Sequence, residues 1–330
     1  MEKYRVGIVG ATGMVGQRFI SLLKDHPWFE VNCVAASARS AGKTYREAVG
    51  ERWAFAWEIP EKVAGMTVVD AADIDEVSKH VDFVFCAVDM KKDEIRALEE
   101  AYAKHEIPVV SNNSACRGIE DVPMVVPEIN ADHLAVIEAQ KKRLGTKNGF
   151  IAVKPNCSIQ SYVPALTPLL DFEPEKVSVC TYQAISGAGK TFKTWPEMVD
   201  NVIPYIGGED EKSENEPLKL WGHVEDGKIV NAALPVISAQ CLRVACSDGH
   251  MAAVSVSFKK KPTIEQIKER WANYETEAQR LELPSAPKPF LQYFEDPSRP
   301  QTRLDRDFQN GFGVSIGRLR PDTQYDYKFV

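Results

Sequence analysis

Of the seven cysteines in the 330-residue chain, Cys157 has neighbours that suit a nucleophile. It stands in Lys154-Pro155-Asn156-Cys157-Ser158, directly before an apolar periodic stretch over residues 159–170 that predicts a helix. The start of a helix favours the thiolate form of a cysteine, and the thiolate is the form that attacks carbonyl carbon. Cys33, Cys86 and Cys180 lie inside apolar runs of strand length and read as inert core thiols. A thiolate nucleophile needs a partner for proton transfer. Among six histidines, His26, His80, His105 and His133 sit among charged neighbours and read as surface residues. His250 differs, because it follows Cys246-Ser247-Asp248-Gly249, a turn between two apolar strands; His223 is a weaker candidate. Arg243 lies on the preceding strand of what reads as a hairpin, so that it and His250 can face one pocket.

The elements that carry these groups fall into two textures. In the first half, apolar runs at residues 4–9, 31–36, 81–88 and 107–111 alternate with helical patterns at 14–24 and 93–105, which predicts a parallel sheet with helical crossovers. From about residue 150 the chain becomes richer in strands, at 176–183, 229–234, 241–246 and 251–259. In the last of these Val254, Val256 and Phe258 alternate with Ala253, Ser255, Ser257 and Lys259, as an antiparallel sheet with one covered face requires. Helices are expected after Cys157 and over 263–281, a polar acidic surface loop over 207–217, and irregular chain over the Pro-rich 283–300.

Between the first strand and the first helix stands Gly10-Ala11-Thr12-Gly13-Met14-Val15-Gly16. At such a junction small residues let the backbone approach a pyrophosphate while the helix N–H groups point at the anion. At the end of the second strand an NAD site has Asp or Glu for the ribose 2′-OH, but here the chain reads Ser37-Ala38-Arg39-Ser40-Ala41-Gly42-Lys43. Hydroxyls beside Arg39 and Lys43 suit a 2′-phosphate, so the expected cofactor is NADP.

Composition narrows the classes further. With 40 basic and 47 acidic residues the net charge is −7, and no Lys/Arg-rich face is evident, so nucleic acid is not an expected partner. No apolar run reaches the ~18 residues of a membrane span and no leader-like segment precedes the first strand, which together read as a cytoplasmic protein. Seven cysteines without a CxxC pair argue against both a disulfide framework and a zinc site, so no metal is expected.

Five strings taken in order, Gly10 to Gly16, Ser111-Asn112-Asn113-Ser114-Ala115-Cys116-Arg117, Pro155-Asn156-Cys157-Ser158, Thr181-Tyr182-Gln183-Ala184-Ile185-Ser186-Gly187-Ala188-Gly189 and Arg243 with His250, resemble the aspartate-β-semialdehyde dehydrogenase family, in its archaeal and fungal branch. The resemblance implies an α/β fold: a Rossmann-type parallel-sheet nucleotide domain plus an α+β catalytic and dimerisation domain with a large, mostly antiparallel sheet. It implies an NADP-binding domain at 1–156 with the tail 307–330 returning to it, and a catalytic domain at 157–306.

The same resemblance implies that Cys157 forms a hemithioacetal and then a thioester that inorganic phosphate cleaves, with His250 as acid/base and Gln183 orienting the substrate. Arg243 would clamp the substrate α-carboxylate, Arg117, Lys219 and Asn113 would form the phosphate subsite, and Glu216 would meet the substrate ammonium. Gly10, Thr12, Gly13, Met14, Val15, Ser37, Arg39, Ser40, Ser186, Gly187 and Asn310 would touch NADP. Relatives of this type continue into a Gly/Ala-rich helix past the strand matching residues 325–330. The implied partners are aspartyl phosphate or aspartate semialdehyde, inorganic phosphate, and further copies of the chain as a homodimer or homotetramer. Pro-Asn-Cys-Ser departs from the Gly-Cys-Tyr of N-acetylglutamyl-phosphate reductases and the Ser-Cys-Thr-Thr-Asn of glyceraldehyde-3-phosphate dehydrogenases. A malonyl-CoA reductase would need the same Cys/His pair, and an NADP-sensing module would bind without turnover.

Overall fold

The computed structural model describes residues 2–330, which divide into two compact units. The first comprises residues up to Val125, Asp132–Lys154 and Val224–Ile229; the second comprises Val126–Ala131, Pro155–His223 and Val230–Val330.

Six strands, β1 (Tyr4–Val9), β2 (Phe29–Ala36), β3 (Val69–Asp70), β4 (Phe83–Cys86), β5 (Val109–Ser111) and β6 (Ile151–Val153), build the sheet of the first unit. Their order is β3-β2-β1-β4-β5-β6 and every pairing is parallel, so the order reverses at β1, where such sheets bind ligands beyond their carboxyl ends. The first crossover helix is Met14–Leu23. Its buried stripe of Gly16, Gln17, Ile20 and Leu23 recurs at helical spacing, and Ile20 and Leu23 join the Val6, Ile8, Val34 core.

The turn into that helix needs glycine at two places. Gly10 has φ +89° and its missing Cβ would lie 2.3 Å from the Ala87 carbonyl oxygen, while a Cβ on Gly16 would lie 2.4 Å from the Gly10 carbonyl oxygen. Substituting Gly10 by Ala is therefore expected to destabilise the first unit by about 3 kcal/mol, combining positive-φ strain with overpacking. A drop in the urea midpoint for that unit checks this, and an unchanged midpoint would contradict the close approach.

The second unit is built on β7 (Pro174–Gln183) and β8 (Val202–Ile203). A short hairpin of β9 (His223–Glu225) and β10 (Lys228–Val230) follows, then β11 (Val236–Val244), β12 (Met251–Phe258), β13 (Leu291–Phe294), β14 (Val314–Gly317), β15 (Arg320–Pro321) and β16 (Tyr327–Phe329). The large sheet has the order β15-β16-β12-β7-β11-β8; only β7 and β11 run parallel in it. One face is covered, by Val177, Val179 and Thr181 of β7 and Ala252, Val254 and Val256 of β12. On the other face Tyr182 and Val236 are exposed.

Several expectations change. The strands bearing Arg243 and His250 do not form a hairpin: β7 lies between β11 and β12, and Arg243 is in register with Gln183 while Met251 is in register with Tyr182. The run after Cys157 is no continuous helix, because prolines at 164 and 168 break it into a 3₁₀ turn Ser158–Ser161, a short helix Val163–Leu166 and a second 3₁₀ stretch Thr167–Phe172. Residues 307–330 are built into the second unit, where β16 pairs with β12. The acidic stretch expected as a surface loop is a helix, Glu209–Leu220.

That helix contains Pro217, which cannot donate to the carbonyl of residue 213. The Tyr162 hydroxyl takes the vacated place, donating to the Ser213 carbonyl at 2.6 Å. Its acidic side chains are used rather than solvated. Asp210 accepts from the Cys241 amide at 2.8 Å and Glu214 from the Ala239 amide at 3.1 Å, which satisfies N–H groups along the part of β11 that β8 does not reach. His133 is buried, against the expectation of a surface residue, and Cys180 sits half-buried on the open face of β7 rather than in the core.

Candidate active site

Cys157 and His250 are 93 residues apart in sequence, and the second unit brings Nε2 of His250 to 3.2 Å from Sγ. Both side chains are part-exposed. His250 immediately precedes β12, so it stands where β7, β11 and β12 end together at Gln183, Arg243 and Met251. His223 is exposed on β9, and the histidine that meets Cys157 is His250.

The residue after Gln183 organises the pair. The Ala184 amide donates to Nδ1 of His250 at 3.0 Å, and the Ala184 carbonyl accepts from Nη1 of Arg243 at 2.6 Å. Arg243 is 5% exposed. Burial pushes its guanidinium below the usual range, while the neighbouring Cys157 and Glu209 act the other way. The turn Ile185–Ala188 lies against both side chains: a Cβ on Gly187 would stand 3.0 Å from Nη1 of Arg243 and 3.0 Å from Cε1 of His250. Sequence placed Gly187 with Ser186 at the cofactor; the structure places Gly187 against Arg243 and His250. Gly187→Ala is expected to lower kcat/KM about tenfold, the ~1.4 kcal/mol of a displaced ring and guanidinium, with little change in unfolding midpoint. Steady-state kinetics beside a melting curve check it.

The chain before Cys157 is pinned by buried polar groups, of which the sequence reading had assigned Glu216 alone, and to another role. The Asn156 amide donates to Oε2 of Glu216 at 2.5 Å, its side-chain nitrogen donates to both oxygens of Glu209 at 2.9 and 3.0 Å, and its Oδ1 accepts from the amide and the hydroxyl of Ser158, each at 2.7 Å. Glu209 also pairs with Lys212 at 2.8 Å. Burial works to raise the Glu209 carboxyl, and the Lys212 ion pair with the Asn156 and Gln183 amides outweighs it, so the group is held below its usual range. The acidic first turn of Glu209, Asp210 and Glu211 after Gly208 was the available signal for this helix, and Pro217 masked it.

Gln183 and Lys219 are buried in the same unit, Gln183 donating to Thr181 Oγ1 at 3.2 Å. Glu216, expected at the substrate ammonium, already uses one oxygen on Asn156. Asn310 is exposed beside Gln309, both with positive φ.

In the first unit the Gly10 to Gly16 turn exposes Gly13 and Val15 and partly exposes Thr12 and Met14; the helix that follows has no side-chain cap, which leaves its N–H groups for an anion. At the end of β2, Ser37 and Arg39 are exposed and Ser40 is largely buried, its amide closing a turn on the Ser37 carbonyl at 2.8 Å. Asn113 does not offer its side-chain nitrogen outward. It donates to Glu99 at 2.9 Å and to Cys86 Sγ at 3.4 Å, so it braces the 112–117 segment, where Arg117 donates to the Asn112 carbonyl at 3.2 Å.

The glycine cradle, the uncapped helix start and the carboxylate-free end of β2 fit a dinucleotide carrying a 2′-phosphate.

Comparison with known proteins agrees with both units. A family model described as "Semialdehyde dehydrogenase, NAD binding domain" matches residues 5–137, and one described as "Semialdehyde dehydrogenase, dimerisation domain" matches residues 166–330. The chain is 42% identical over 330 residues to an aspartate-semialdehyde dehydrogenase of Archaeoglobus fulgidus, covering 99% of this chain and 92% of the relative. It is 44% identical over 333 residues to that of Schizosaccharomyces pombe, covering 99% and 91%. A crystal structure of aspartate semialdehyde dehydrogenase with NADP from Candida albicans superposes with a TM-score of 0.89 at 36% identity, covering 99% of this chain and 92% of that one. On this geometry and these matches, the chain belongs to the semialdehyde dehydrogenase family.

Proposed function

We propose that the chain catalyses the NADP-dependent interconversion of L-4-aspartyl phosphate and L-aspartate 4-semialdehyde, with NADPH-driven reduction of the acyl phosphate as the biosynthetic direction toward lysine, threonine and methionine. The observation that carries the reading is Sγ of Cys157 at 3.2 Å from a histidine nitrogen, with a buried arginine against the same turn. A sulfur nucleophile turns an aldehyde into an adduct that can give up hydride, and the thioester left behind is activated for attack by phosphate. When bound, NADP supplies the hydride acceptor. Gly10, Thr12, Gly13, Met14 and Val15 would hold its pyrophosphate, and Ser37, Arg39 and Ser40 its 2′-phosphate. Arg243 offers a planar fork for the substrate α-carboxylate. Arg117 and Lys219 are the cations assigned to phosphate, and Gln183 orients the substrate.

NADPH formation from aspartate semialdehyde is expected to require inorganic phosphate, and malonyl-CoA with NADPH to give no turnover. Phosphate-independent oxidation, or equal reduction of malonyl-CoA, would move the substrate assignment. A sensing module would bind NADPH without either reaction. The open face of the large sheet, with Tyr182 and Val236 exposed, suits a second copy of the chain, so light scattering is expected to give a homodimer or homotetramer. No helix among the described residues is long and apolar enough to cross a membrane, and the cytoplasm is the compartment proposed.

A further inference from the structure

Two buried side chains outside the cofactor assignment hold the turn between β1 and the first helix. The Tyr45 hydroxyl donates to the Ala11 carbonyl at 2.8 Å, and Nε2 of Gln17 donates to the Thr12 carbonyl at 3.0 Å. Tyr45 is fully buried and Gln17 is 1% exposed. The flanking carbonyls are taken as well: that of Gly10 accepts from the Gly13 amide at 3.2 Å, and that of Gly13 from the Gln17 amide at 2.9 Å. The carbonyls of residues 10 to 13 are thus all engaged by the chain itself. In a trans peptide the C=O and the N–H point in opposite directions. Holding the Ala11 carbonyl on Tyr45 therefore sets the Thr12 N–H pointing away from that ring, two residues before the uncapped start of helix Met14–Leu23. Anion binding needs this polarity, N–H groups toward the charge and carbonyl oxygens away from it.

Neither clamp is free to turn. Gln17 uses its whole side-chain amide, since Nε2 also donates to the Arg52 carbonyl at 3.1 Å and Oε1 accepts from the Ala54 amide at 2.8 Å. A flipped amide would set Oε1 against two carbonyl oxygens and Nε2 against an N–H, so the partners fix its orientation. Tyr45 opens the helix Tyr45–Val49, which a Thr44/Glu47 capping box starts, and its own amide donates to the Met66 carbonyl at 2.8 Å. Burial pushes the Tyr45 phenol up, so its hydroxyl stays a donor. Ala11 is itself fully buried, and its carbonyl without Tyr45 would be a buried acceptor with no donor. Rotation of the Ala11–Thr12 peptide relieves that cost, and it carries the carbonyl oxygen round to where the N–H had pointed.

We propose that Tyr45 and Gln17 are positioning residues for the cofactor, holding the Ala11 and Thr12 carbonyls inward so that the N–H groups of the turn are set for the NADP pyrophosphate before it arrives. Their polar atoms are spent on the main chain, so they act through the turn and not on the nucleotide. A turn already in its binding conformation loses less freedom when the ligand enters, and the saving appears as affinity. The proposal rests on the placement of the pyrophosphate at this turn under Proposed function.

The test measures binding, by calorimetry, with no substrate present. Tyr45→Phe removes one oxygen and keeps the ring, and Gln17→Met keeps the length of the side chain and removes its donors. Each is expected to raise the Kd of NADPH about tenfold. Adenosine 2′-monophosphate carries the 2′-phosphate but no pyrophosphate, and its Kd is expected to stay within about twofold in both variants. That split separates positioning from damage to the fold. Equal weakening of both ligands overturns the proposal, and so does an NADPH Kd within about twofold of the parent in both variants. Gly13→Asp tests the placement of the pyrophosphate itself. The nearest atom to a Cβ there is the Gly10 carbonyl oxygen at 3.6 Å, so the side chain has room, and it sets a carboxylate at the helix N-cap. Charge repulsion is expected to weaken NADPH at least about thirtyfold. Unchanged affinity in Gly13→Asp removes the pyrophosphate from the turn, and the clamps fall with it. Loss in Gly13→Asp without loss in Tyr45→Phe or Gln17→Met overturns the clamps alone and leaves the cofactor where it is placed.

Discussion

Replacement of Cys157 by Ala is expected to lower phosphate-dependent NADP reduction by at least about four orders of magnitude, since the covalent route disappears with the sulfur. The loss should be chemical and not structural. The segment around Cys157 is held by Asn156, Ser158, Glu209 and Glu216, and the hydrogen-bonding contact of Cys157 itself is with His250. Unfolding midpoints of the parent and Cys157→Ala are therefore expected to agree within about 0.5 kcal/mol. Cys157→Ser keeps a side chain of similar size in the same place, but an alcohol is scarcely ionised at neutral pH and leaves poorly from a tetrahedral adduct. It too is expected to fall by several orders of magnitude. Following NADPH absorbance with aspartate semialdehyde and phosphate checks both, and turnover above about 1% of the parent in Cys157→Ala would sink the covalent mechanism.

The second large effect is at Arg243. Its Nη1 is engaged with the Ala184 carbonyl at 2.6 Å, and the side chain is buried at the end of β11 beside Gln183. In the proposed reaction the remaining donors of the fork meet a carboxylate. Lysine keeps the charge and loses the planar geometry, so one ammonium would have to serve the carbonyl and the substrate together. Arg243→Lys is expected to raise substrate KM roughly 30- to 100-fold, about 2 to 3 kcal/mol, the worth of a charge-assisted bidentate contact. NADPH affinity, measured by fluorescence titration, is expected to stay within about twofold, because the fork of Arg243 is assigned to the substrate carboxylate and the phosphates of the dinucleotide to residues 10–15, Ser37, Arg39 and Ser40. An equal loss of NADPH affinity would place Arg243 in the cofactor site. The Arg243→Lys and Gly187→Ala effects are also expected to be non-additive, since both act on one guanidinium and one ring within contact distance.

Much of the first unit was legible from the chain. Strand β1 occupies the residues read for it, and the helices Met14–Leu23 and Lys92–Lys104 fall within a residue or two of their periodic patterns. The Gly10 to Gly16 turn was legible for the same reason: tight turns and close backbone approach are local demands, and only glycine meets them at Gly10. The second unit was harder, because its contacts are non-local. Strands β11 and β12 are neighbours in sequence and looked like a hairpin, yet β7, some fifty residues earlier, is the partner of both. No pattern within residues 236–258 records that insertion. The acidic helix was misread because carboxylates signal solvent unless their partners are known, and those partners, Asn156, Ala239 and Cys241, lie tens of residues away.

The sequence by itself determined which chemical groups are present and, through Pro-Asn before Cys157 and the glycines at the first turn, which of them deserved suspicion. It determined the parallel-sheet class of the first unit, since period and spacing are properties of the chain. Only the tertiary structure decided what the groups do to one another. A hydrogen bond has a direction and a reach of about 3 Å, so which nitrogen of His250 meets Cys157, which main-chain amide holds the other, and why position 187 must lack a Cβ are facts of distance. Those distances arise where three strand ends converge, and convergence of segments far apart in sequence is what folding adds to the order of residues.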